Sequence, residues 1–208
     1  MIVDGMSYRR HGRALVALAL PLAGSQLAHA AVGLTDTIML GWYSVETLAA
    51  GVLANAIFFT LFVVGSGFAQ AVMPMVASAA SANDPQQIRR ITRMGLWLSL
   101  LTAACLMPIM WWCKPILELL RQDPEIASLT QTYMRIAGWS LFPALLVMVF
   151  RSYLAAQERA QVIFWITVLG GIGNALANWV LIFGKWGFPE FGIAGAAIAT
   201  LLNQLLVL

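Results

Sequence analysis

The stretch LVALALPLAGSQLAHAAVGLTDTIML, Leu15 to Leu40, holds one full charge, Asp36, in an otherwise apolar run long enough to cross a bilayer as a helix. An ionised carboxylate at such a depth costs about 2.5 to 3.5 kcal/mol on insertion scales, so its presence calls for a role. The commonest role is a pathway for protons, cations or cationic substrates. Any polar group able to face Asp36 is therefore a candidate partner.

Outward from this stretch the chain has the same character. Of its 208 residues, 61% are hydrophobic and 10% charged, against about 25% charged in soluble domains. Six apolar blocks stand at 15–40, 47–79, 94–113, 133–154, 161–184 and 191–208. They run continuously, without the alternation of about ten-residue barrel strands, so the fold class is all-α: a polytopic membrane protein of six transmembrane helices. The first block is too long for a signal-peptide core. The connections are short and rich in turn residues, which excludes a separate soluble domain.

Charge distribution gives an orientation. Arg9, Arg10 and Arg13 precede the first block, Arg89, Arg90 and Arg93 lie between the second and third, and Arg151 and Arg159 flank the connection after the fourth. On the other side, Lys114, Arg121, Arg135 and Lys185 share their connections with Glu46, Glu118, Asp123, Glu125 and Glu190. The positive-inside rule then puts both ends in the cytoplasm, with Arg135 and Arg151 as interfacial anchors. An even number of spans also allows a second six-span unit to repeat in the same orientation, and the chain ends inside an apolar run, as one half of something larger would.

Prolines punctuate the blocks at Pro21, Pro74, Pro108 and Pro143, where bends are expected. Pro21 shares a helix with Asp36 and is the hinge candidate. Asn83-Asp84-Pro85 reads as a capped helix start, opening a short amphipathic segment at the inner surface. Cys105 and Cys113 fall on the third block, about 12 Å apart along one helix, too far to pair. No CxxC or HExxH pattern suggests a metal centre.

Three further groups bear on Asp36. His29 lies seven residues earlier, within about 20° of the same helix face, and Gln26 is displaced from Asp36 by about 80°. On the fifth block Asn174 and Asn178 stand one turn apart behind Gly170-Gly171-Ile172-Gly173, which would let another helix come close. The amides serve either as interhelical glue or as part of an ion site. The sixth block opens with Gly192-Ile193-Ala194-Gly195-Ala196-Ala197-Ile198-Ala199-Thr200, a small-residue packing face that ends in a hydroxyl.

Two passages carry a family resemblance. Leu34-Thr35-Asp36-Thr37-Ile38-Met39-Leu40-Gly41-Trp42-Tyr43-Ser44 resembles the end of the first helix in multidrug and toxic compound extrusion (MATE) transporters, in particular the NorM-like branch. Asn178-Trp179-Val180-Leu181-Ile182-Phe183-Gly184 and the run Gly187 to Gly195 resemble a second passage of that family. Pro21 and Pro74 match its pattern as well. The resemblance implies that residues 1–208 form the N-terminal six-helix lobe of a two-lobed antiporter whose second lobe is missing here.

By the same resemblance the protein is expected to be a transporter and not an enzyme, carrying out multidrug efflux by alternating access and exchanging H+ or Na+ for small organic cations. The family likeness implies no cofactor and no nucleic acid. The partners would be the substrates, the lipid bilayer of a bacterial inner membrane and the C-terminal lobe. The cation site would fall on Asp36, where Na+ could be held, with Asn174 and Asn178 as partners and Thr200, Gln26 and His29 lining the site. Many relatives have aspartate in place of Asn178, which leaves Asp36 as the expected titrating carboxylate. Burial disfavours its charged form and a nearby cation favours it, and those opposed effects would couple substrate to ion. Two alternatives compete: a flippase for lipid-linked precursors, which should cluster arginines in mid-span, and a membrane assembly protein without transport activity.

Overall fold

Proline and glycine chemistry sets where the helices begin, break and touch. The computed structural model describes residues 8–157, 159–187 and 189–208. The side chains of Arg9, Arg10 and Arg13, which carry part of the expected orientation signal, lie outside those described. Helix α1 spans Tyr8–Tyr43 and α2 spans Val45–Ser81, joined at Ser44, whose hydroxyl accepts the Thr47 N–H as an N-cap. Helix α3 spans Pro85–Trp111, with Asp84 capping the N–H groups of Gln86 and Gln87. The expected amphipathic surface segment is therefore the first turns of this one helix, continuous with the span expected from residue 94.

Two breaks arise from missing proline donors. Pro115 cannot donate to the Trp111 carbonyl and its ring crowds it, so α3 stops at Trp111 and a short helix α4, Cys113–Leu119, starts anew. Cys113 thus opens α4 and does not share a helix with Cys105, a correction to the single-helix reading; both thiols are free. Pro143 acts likewise on Trp139. Helix α5, Pro124–Ala137, passes through a 3-10 turn at Gly138–Ser140 into α6, Leu141–Ala156, leaving Pro143 in a first turn where its absent N–H is harmless. The span expected from residue 133 accordingly starts nine residues earlier, at Pro124 behind the Asp123 cap.

Helix α7, Ala160–Ile182, and α8, Ile193–Val207, complete the order. Among the described residues, four stretches are long and apolar enough to cross a membrane: Val45–Ser81, Pro85–Trp111, Pro124–Ala156 and Gln161–Ile182. Helix α1 has ample length at 36 residues, whereas α8, at 15, is shorter than a usual crossing. The fold is all-α and built for a bilayer.

Packing divides between α1, α7 and α8 on one side and α2, α3 and α6 on the other, with α5 touching both α2 and α8. Met110, Met134, Leu141 and Leu145 are fully buried where α3, α5 and α6 meet. Glycine permits the closest approaches on the α1, α7, α8 side. A methyl group at Gly171 would lie 2.9 Å from the Val32 side chain, and one at Gly195 would lie 2.5 Å from the Leu181 carbonyl oxygen. A side chain can shift aside; the Leu181 backbone cannot do so without moving α7.

Candidate functional site: a carboxylate among buried amides

The interface between α1 and α7 can be followed turn by turn. Leu40 on α1 and Ile182 on α7 belong to one buried apolar cluster with Ala50, Ile193 and Ala196. One turn back on each helix, four residues earlier, stand Asp36 and Asn178. A further turn back on α1 is Val32, pressed against Gly171. The polar pair is thus held between two apolar contacts, in register because both helices repeat at the same interval.

Asn178 is fully buried and Asn174 nearly so. The Asn178 side-chain nitrogen donates one hydrogen bond to Asp36 Oδ1 and another, of 3.0 Å, to Asn174 Oδ1. Both amide hydrogens are then committed, while Asn178 Oδ1 is buried without a hydrogen-bond partner. The neighbouring hydroxyls do not compete for the carboxylate. Thr35 donates to the Ala31 carbonyl at 2.9 Å and Thr37 to the Gly33 carbonyl at 2.8 Å. The result is a half-buried carboxylate, one donor that favours its ionised form, and an amide oxygen able to accept from or coordinate a cation.

Other sequence-selected residues are held by other partners. Thr200 donates to the Ala196 carbonyl at 3.0 Å and lies 3.3 Å from the Tyr133 hydroxyl. With its own proton used, Thr200 accepts from Tyr133. No hydrogen bond among the described residues links this pair to Asp36 or the two amides. Tyr133 was missed from sequence because residue 133 reads as the edge of a span, whereas it sits well inside the helical run from Pro124. Gln26 is exposed, and Pro21 lies within α1.

His29 lines a different space, a cavity of about 320 Å³ that also borders Arg151, Thr167 and Asn203. Asp36 does not line it. Arg151, expected as an interfacial anchor, reaches across to Thr167 on α7, Nη2 to Oγ1 at 3.4 Å. Among the described residues no three His, Cys, Asp or Glu side chains come together, so a cation at Asp36 would be held by one carboxylate and neutral oxygens.

These features define a polytopic helical membrane protein with an acidic site between its first and seventh helices. The MatE family model matches residues 21–180, and the chain belongs to that family, one of transporters and not of enzymes. It is 46% identical over 200 residues to "Probable multidrug resistance protein NorM" of Rhizobium meliloti (strain 1021), covering 96% of this chain and 43% of that protein. The protein of the same name from Agrobacterium fabrum is 40% identical over 196 residues, covering 94% and 42%. The chain therefore spans less than half the length of these relatives.

Solved structures agree on the fold. An outward-facing multidrug resistance MATE family transporter of the MOP superfamily superposes with a TM-score of 0.84 at 22% identity, over 93% of this chain and 42% of that one. A MOP superfamily transporter from Pyrococcus furiosus gives 0.83, also at 22% identity, with the same coverage of both chains.

Proposed function

We propose that residues 1–208 act as the N-terminal lobe of a multidrug exporter that exchanges H+ or Na+ for small organic cations across a bacterial inner membrane by alternating access. The observation that carries this reading is the unpartnered, buried Asn178 oxygen beside the Asp36 carboxylate. An orphaned acceptor next to an anion costs stability, and a cation or a protonated carboxyl relieves both. Oxygen ligands of this kind suit a hard ion better than a transition metal.

In this scheme Asp36 alternates between coupling ion and substrate. When either cation arrives, the carboxylate neutralises it, and Asn178 holds the carboxylate in place through the exchange. Transport needs an opposing wall, which a C-terminal lobe would supply; both chain ends are read as cytoplasmic. The relatives named as multidrug resistance proteins support export of xenobiotics.

Co-expression with the remaining part of the Rhizobium meliloti relative tests the proposal. Efflux of a fluorescent organic cation should follow an imposed proton or sodium gradient and disappear in Asp36→Asn with membrane insertion unchanged. Undiminished efflux by that variant would overturn it. Vesicles holding residues 1–208 alone should exchange nothing.

A further inference from the structure

The cavity beside His29 is not explained by a cation site. Its one unambiguous charge is Arg151, half-buried on α6. The guanidinium has five donors, yet among the described residues it makes one hydrogen bond, the 3.4 Å contact to Thr167. That acceptor is already engaged, since the Thr167 hydroxyl donates to the Ile163 carbonyl at 2.8 Å. The one ion pair among the described residues is Lys114 with Glu118, in α4. Arg151 therefore has no described counter-ion.

The contact to Thr167 fixes where the guanidinium lies. Arg151 is five residues from the end of α6, about 7.5 Å along the axis, and Thr167 is seven residues into the antiparallel α7, about 10.5 Å from the same connection. With the Thr167 hydroxyl folded back a turn onto the Ile163 carbonyl, the two side chains meet at about the same level, and both line the cavity. Holding a positive charge at the cavity wall without a described counter-ion is unfavourable in this setting, and a bound anion removes the penalty.

The remaining walls describe the rest of the ligand. Phe150, Ile163 and Val207 are apolar, and Phe150 and Ile166 are 40% and 39% exposed on a lobe built for a bilayer. One guanidinium neutralises one phosphodiester charge through its planar fork, and His29 supplies a second nitrogen. Basic pockets between membrane helices hold lipid headgroups on this principle.

We infer that the Arg151–His29 cavity is a binding site for the phosphate of a singly charged amphiphile, the guanidinium clasping the anion while its chains lie along the Phe150–Ile166 wall. This site is independent of ion coupling at Asp36. The anion comes either from a membrane phospholipid or from a soluble phosphate.

Native mass spectrometry on the purified chain distinguishes these sources, using phosphatidylglycerol, a diacylglycerol with the same tails, and inorganic phosphate. Phosphatidylglycerol should be retained at least about tenfold better than diacylglycerol, and Arg151→Gln should erase the preference while Arg151→Lys keeps part of it. Ile166→Trp, which fills the cavity from a partly exposed position, should displace the lipid without touching either charge. Competition by inorganic phosphate at equal concentration would assign a soluble anion to the same site; failure to compete assigns the lipid. Equal retention of the two lipids by the unsubstituted chain would overturn the proposal even if Arg151→Gln failed to fold. So would a preference lost in Arg89→Gln but kept in Arg151→Gln. Because the readout is binding, neither result bears on efflux.

Discussion

The two polar regions on the α1–α7 seam are built on opposite plans. Around Asp36, a negative group meets two buried amides, and the unmet demand is an acceptor oxygen. Around Arg151, a positive group meets a hydroxyl whose proton is spent and lacks an anion, while the Asn203 oxygen on the same cavity lacks a donor. The Val32–Gly171 contact lies between them, one turn from Asp36. Membrane helices this apolar have few places for polarity, and these two are left one ligand short. A structural polar contact would be closed; these are open, and with opposite sign.

The largest effect that would break this comparison acts on the frame itself. Gly195→Val should remove folded protein from the membrane, because its Cβ would meet the Leu181 backbone at 2.5 Å and force α8 off α7. Yield of monodisperse protein after extraction measures it, and normal yield would mean that the close packing does not organise the seam. Gly171→Ala, whose Cβ meets only the Val32 side chain at 2.9 Å, should be milder and recoverable.

A sharper test sets one amide against another. Asn178→Leu strips Asp36 and Asn174 of a donor and should cost about 1 to 3 kcal/mol in denaturant titrations, together with cation binding. Asn203→Leu removes a buried oxygen that has no partner, so it should be close to neutral in stability and leave Asp36 unaffected. Equal losses would mean that the seam tolerates polarity indiscriminately. Smallest of all, Tyr133→Phe deletes one hydroxyl contact to Thr200, worth about 0.5 to 1.5 kcal/mol, and should change ion binding far less than Asn178→Leu, because no hydrogen bond among the described residues connects that pair to Asp36.

Much of this architecture is legible in the residues. Continuous apolar runs give the helices, and a lone acid in such a run singles out Asp36 as the candidate site. The one-turn spacing of Asn174 and Asn178 states that they face together, although their pairing with Asp36 came from family resemblance, since no local pattern links residues 142 apart in sequence. Other features depended on tertiary context. Pro115 breaks the third span where a hydropathy reading runs through to Cys113, and Asp123-Pro124 starts the next helix early enough to bring Tyr133 inside. The direction of Arg151 could not be read from its place near a span end, because an arginine there can turn either way; its partner Thr167 lies on the next helix.

The most direct measurement of the central claim is infrared difference spectroscopy of the purified chain during Na+ addition and acid titration. Asp36 should give a carboxylate stretch that changes with both ions, Asn178→Leu should weaken the Na+ response, and Asp36→Asn should abolish it while keeping the helical amide bands. A response to Na+ and acid that persists unchanged in Asp36→Asn would contradict the assignment of the cation site to this carboxylate.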